Sequence, residues 1–118
     1  MKDFILINLN HCTKEYQEMI IQGLKKLRID YDLNPYFSNK NPNKLPQALF
    51  LIHNTELIGY VFIKGETSTD HSWLAMHNAD ELDTQAALIL LYEGIKVCEK
   101  CDANDLKELF IYDYNELL

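Results

Sequence analysis

Ala48-Leu49-Phe50-Leu51-Ile52-His53-Asn54-Thr55-Glu56-Leu57-Ile58-Gly59-Tyr60-Val61-Phe62-Ile63 is the stretch that decides the fold. Two runs of apolar, β-branched and aromatic residues flank a short polar break, which is the pattern of a β-hairpin. We assign Gln47–His53 to one strand, Asn54-Thr55-Glu56 to the turn and Leu57–Lys64 to the returning strand.

Outward from the hairpin, the segment Asn34–Pro46 holds all three prolines and several Asn and Lys residues, so it reads as a loop. Before it, Tyr16, Met19, Ile20, Leu24 and Leu27 recur at three- and four-residue steps. That spacing predicts an amphipathic helix, capped by Thr13 or Asn10. Gly23 lies inside it and weakens it by about 1 kcal/mol relative to alanine. Asp3–Asn8 is a first strand, since its apolar run is followed by no small-residue cleavage site of the kind that ends a signal peptide. After the hairpin, Gly65–Asp70 is a polar turn and Ser72–His77 a short strand. Leu82–Lys100 is a long helix, apolar almost all round at Ala86–Leu91 and therefore deeply buried. Asn104 and Asp105 are expected to break it, and Glu108–Tyr112 to form a last strand. The expected order is β-α-β-β-β-α-β in one domain, residues 1–118.

The charge balance is 18 acids against 11 bases, a net −7. A phosphate backbone is repelled by such a chain, so nucleic acid is not an expected partner. The basic groups Lys25-Lys26-Arg28 and Lys40 with Lys44 read as solvated faces. Apolar runs fall short of the ~20 residues of a membrane helix. Three cysteines, Cys12, Cys98 and Cys101, are too few for a disulfide scaffold and point to the reducing cytoplasm.

The hairpin, with Leu57-Ile58-Gly59-Tyr60-Val61 as an apolar-Gly-apolar strand, resembles the GNAT acetyltransferase superfamily. Trp73–Met76, Leu82–Lys100 and Leu109–Tyr112 are similar to the third strand, long helix and further strand that follow there, and Asn115 resembles an asparagine common after that strand. The resemblance implies an α/β (α+β) fold with a mixed, mostly antiparallel sheet of about five strands and two main helices. It also implies acyl-CoA chemistry on an amine, with pyrophosphate held by a loop resembling Q/R-x-x-G-x-G/A where the strand meets the long helix. If acetyl-CoA binds, the matching positions are Met76, His77, Asp83, Thr84, Gln85 and Ala86, with His77 the candidate general base. The equivalent segment, His77–Ala86, has no glycine, arginine or lysine and carries Asp80, Glu81 and Asp83. Free helix N–H groups attract anions, but each carboxylate beside a phosphate costs about 1–4 kcal/mol at contact distance. The family's further helix and two strands, with their tyrosine general acid, have no counterpart before Leu118, and that role is not transferred to Tyr112 or Tyr114. The expectation is a GNAT-like domain that has lost acyl-CoA chemistry, needs no cofactor, and acts as a protein-interaction module. A homodimer or protein partner is expected to cover an edge strand at Leu109–Tyr112. The alternative is a small acetyl-CoA-dependent N-acetyltransferase.

Other constellations are weaker. Cys98-x-x-Cys101 with His11 and Cys12 makes four zinc-type ligands in number, but zinc knuckles sit in turns and this pair sits in a helix, so no metal is expected. A redox CxxC needs a helix N-terminus, and this one lies near a C-terminus. His53 and His71 read as strand or turn histidines, Glu56 as a solvated turn residue, and Cys12 lacks a recognisable orienting group. Tyr31, Tyr36 and Phe37 flank the Asn/Lys/Pro loop. By the resemblance they line the acceptor side; otherwise they anchor a partner or fold back on the helix.

Overall fold

A computed structural model describes residues 4–65, 71–74 and 81–118. Its elements are β1 (Phe4–Asn8), a 3₁₀ turn (Leu9–His11), α1 (Lys14–Lys26), α2 (Asn34–Ser38), β2 (Gln47–His53), β3 (Glu56–Ile63), β4 (His71–Leu74), α3 (Glu81–Lys100) and α4 (Asn104–Leu117). The strands form one sheet in the order β1-β2-β3-β4. All three pairings are antiparallel, with Phe4 opposite His53, Gln47 opposite Ile63 and Val61 opposite Trp73. No helix among the described residues is long and apolar enough to cross a membrane.

The expected hairpin is present. Asn54 and Thr55 form its two-residue turn at φ of 52° and 65°, and Glu56 opens the return strand opposite His53. Two left-handed residues give the twist that matches paired strands, and Asn suits that conformation. Thr55, β-branched, is strained in it. Farther along, Leu51 faces Gly59 and Ile52 faces Leu57, leaving Ile58 as the extra residue of a β-bulge. The bulge turns Ile58 to one face while Leu57 and Tyr60 point to the other.

Both faces of β2 and β3 are covered. On one, Leu49, Leu51, Val61 and Ile63 pack with Ala86, Leu90 and Cys98 of α3 and Leu106 and Phe110 of α4. On the other, Ala48, Phe50, Ile52 and Phe62 pack with Ile20 and Leu24 of α1 and Tyr36 of α2. Strands buried on both sides read as continuous apolar runs, as these do.

Helix ends follow local chemistry. Thr13 Oγ1 caps α1 by accepting from the Tyr16 N–H at 3.3 Å. At its other end the Arg28 and Ile29 N–H groups donate to the Lys25 and Leu24 carbonyls, with Arg28 left-handed at φ 59°. α3 ends in the same way, with Asp102 at φ 55° and the Ala103 N–H donating to the Cys98 carbonyl.

Several expectations need correction. The segment 108–112 is not a strand: it lies within α4, so among the described residues the sheet has four strands and not about five. Leu106 and Phe110, one helical turn apart, are both fully buried, and that 3.6-residue period prevails over the short apolar run Leu109–Tyr112. The edge strand at Leu109–Tyr112 therefore does not exist, and the outer strands are β1 and β4. Asn104 and Asp105 begin a helix instead of ending one, and every pairing among the described residues is antiparallel, where a mixed, mostly antiparallel sheet was expected. The Pro-rich loop also contains the short α2, with Pro35 at its first turn. Its remainder is held by Asn39 Nδ2, which donates to the Lys44 and Pro46 carbonyls at 2.7 Å, and by buried Gln47, whose Nε2 donates to the Asn41 and Lys44 carbonyls. Of the short strand expected at Ser72–His77, the structure describes Ser72–Leu74 within β4, and Ala75, Met76 and His77 lie outside the described residues.

Gly23 has a packing reason. A Cβ there would sit 2.5 Å from Leu57 Cβ, so α1 approaches β3 more closely than any side chain permits. Gly23→Ala therefore destabilises the protein by about 1–3 kcal/mol, although helix propensity alone would give a gain of about 1 kcal/mol. Thr55→Gly relieves the turn and stabilises by about 1 kcal/mol. Urea unfolding of both variants checks the two signs, and a more stable Gly23→Ala protein would contradict the close contact.

Candidate functional site

The start of α3 holds the positions that the resemblance would assign to acyl-CoA if it binds. Met76 and His77 lie outside the described residues, and for Asp83 the structure describes the helical backbone. Thr84 is exposed, Gln85 half-buried and Ala86 fully buried. Ala86 faces the sheet, in the core cluster of Leu90 and Val61. The backbone of Glu81 and Asp83 lies in the first turn of α3.

The cysteines are packing residues. Cys98 is fully buried, and burial, followed by the neighbouring Cys101, pushes its thiol up to about 12 against the partial opposition of Lys107. Burial and then Asp102 raise Cys101 as well, and burial raises Cys12. A nucleophile or ready metal ligand needs the thiolate, and these environments favour the neutral form. No group of three or more His, Cys, Asp or Glu among the described residues could hold a metal ion. His53 lies at the β1–β2 end of the sheet, its ring 5.2 Å from Phe4 and its Nε2 3.3 Å from Asn54 Nδ2. His71 falls in β4, whose side chains are outside the description.

The loop aromatics join the core cluster between the sheet and α1. Tyr31 stacks on Phe62 with ring centroids 4.0 Å apart, and its hydroxyl lies 3.3 Å from that of Tyr36. Tyr36 is buried, Phe37 half-buried, and Phe50 and Tyr60 complete the cluster. Burial first, then the bond with Tyr31, raises the Tyr36 phenol; burial and Tyr31 raise Tyr60.

One concave feature was not anticipated from sequence. A groove of about 640 Å³ runs between α1 and the β2–β3 turn. Glu15, Glu18, Met19 and Lys26 form its helical wall; Glu56 and Leu57 form the other. The contact of Gly23 with Leu57 brings the two walls together. Lys26 Nζ lies 3.5 Å from Glu56 Oε1, and both side chains are well exposed, so that pair adds little stability. The stripe Glu15, Met19, Gln22, Lys26 is visible in the sequence at helical spacing. That the hairpin turn docks beside it is a tertiary fact with no local signal.

No family profile, curated protein or solved structure matches this chain.

The raised Cys98 thiol fixes a pH dependence. In the folded protein it stays neutral until about 12, whereas an unfolded thiol ionises near 9.0. Its contribution is complete below the unfolded value and is lost as pH rises toward the folded one. Urea unfolding above about pH 9 should show stability falling by about 1 kcal/mol per pH unit from this group. Tyr36 and Tyr60 steepen the fall at higher pH. In Cys98→Ala the slope is shallower; identical slopes in the two proteins would refute the assignment.

Proposed function

We infer that this chain is a GNAT-like protein-interaction module without acyl-CoA chemistry. The observation that carries the reading is α4. Where the resemblance calls for a further strand after the long helix, this chain has a helix whose Leu106 and Phe110 pack into the same core as Leu49, Leu51 and Val61. A Cβ on Gly94 of α3 would lie 2.9 Å from the Phe110 ring, so the two helices are closely fitted. The sequence of the segment His77–Ala86 supports the same reading, because it offers no glycine, arginine or lysine to an acyl-CoA pyrophosphate and carries three acids. Three thiols in environments that favour the neutral form suit a reducing compartment such as the cytoplasm.

A specific observation keeps the transferase reading as the competing one: β1 through β4, followed by a long helix, run in the element order of the resemblance. In that reading His77 is the base, and the first turns of α3, with Thr84 and Gln85, receive acetyl-CoA. Thermal unfolding with acetyl-CoA separates the two. Ligand at about 100-fold its dissociation constant adds about 2.7 kcal/mol. The expected result is an unchanged midpoint at millimolar acetyl-CoA. A rise of several degrees, absent with free acetate, would restore the transferase.

A further inference from the structure

The groove beside α1 joins an apolar floor to a lopsided set of charges. Met19 and Leu57 supply apolar surface, Glu15, Glu18 and Glu56 three carboxylates, and Lys26 a single ammonium. Lys26 is engaged by Glu56 at 3.5 Å. Among the described residues no ion pair engages Glu15 or Glu18. These two stand three residues apart in α1, one turn of the same helix wall. Lys25 and Arg28, though close in sequence, are not part of the lining.

We propose that this groove binds a short basic peptide segment of a partner protein, laid along α1 with its cationic side chains on Glu15 and Glu18 and an apolar side chain on Met19 and Leu57. The proposal rests on the interaction-module reading and names the partner's chemistry. Glu15 to Lys26 spans about 16 Å of helix, which an extended peptide covers in about five residues. Exposed carboxylates steer and select a cationic partner while the apolar floor supplies desolvation. A second copy of this chain is disfavoured relative to a cationic partner, because two chains of net −7 repel each other.

The test is fluorescence anisotropy of the intact protein with a fluorescein-labelled hexapeptide of alternating lysine and leucine, and with its glutamate–leucine counterpart. The expected result is saturable binding of the lysine peptide and none of the glutamate peptide. Glu15→Gln with Glu18→Gln should weaken binding about tenfold, within the range for two exposed charge pairs. Glu108→Gln with Glu116→Gln, the same charge change on α4, should alter it less than about twofold. Met19→Gln should weaken it as well. Thermal unfolding of each variant confirms that it is folded. Equal losses in the two double variants would reduce the effect to overall charge and overturn the site. Absence of binding to the unaltered protein would overturn the proposal, as would displacement by spermine at concentrations matching the peptide, which would make this a small-amine site. None of these outcomes alters the acetyl-CoA result, so the groove and the module reading fail separately.

Discussion

The structure depends on one constraint: β2 and β3 are apolar on both faces and must be covered on both. Six successive residues of β2, from Gln47 to Ile52, are buried, and Leu57–Ile63 of β3 are buried without interruption. One helical layer would leave either Leu49, Leu51 and Val61 or Phe50, Ile52 and Phe62 in water. At about 1.5–3 kcal/mol per buried side chain, exposing either set would cost roughly 5–9 kcal/mol, comparable to the whole ~5–15 kcal/mol by which a domain is stable. α1 and α2 therefore close one face, and α3 and α4 the other. The bulge at Ile58 fits the same constraint, since it lets a run of large side chains divide between two cores without a polar residue turning inward.

Close helix approach then sets the shape of what is exposed. Gly23 against Leu57 and Gly94 against Phe110 are the two places where a side chain has been removed to bring elements together. The first draws the hairpin turn against α1 and leaves the groove beside it; the second fits α4 to α3. Both glycines look like defects in a helix when judged by propensity, and both are explained by what lies across from them.

Much of this fold was legible in the chain. The β2–β3 hairpin, the α1 stripe and the buried character of α3 follow from periodicity that no tertiary contact opposes. The misreading lay at Glu108–Tyr112, where Leu109-Phe110-Ile111-Tyr112 fits a strand as well as a helix. Leu106 was the discriminating residue, because with Phe110 it completes a turn-spaced pair, and it falls outside the run that drew attention. The groove was less legible. Its α1 wall can be read from residue spacing, but its other wall comes from Glu56 and Leu57, some thirty residues away from Lys26, as their ion pair records. For the start of α3, the sequence reading placed three acids there, and Glu81 and Asp83 do fall in its first turn.

The antiparallel meander has a consequence for how the chain assembles. β2, β3 and β4 join neighbours in sequence, and α3 with α4 forms another local pair, so each can form with a short loop to close. β1 is different: Asn8 meets Leu49 only after a loop of about forty residues is drawn shut, a step whose entropy cost grows with loop length. Contacts of that range slow folding. The N-terminal strand is thus the member of the sheet whose pairing carries the largest loop-closure cost.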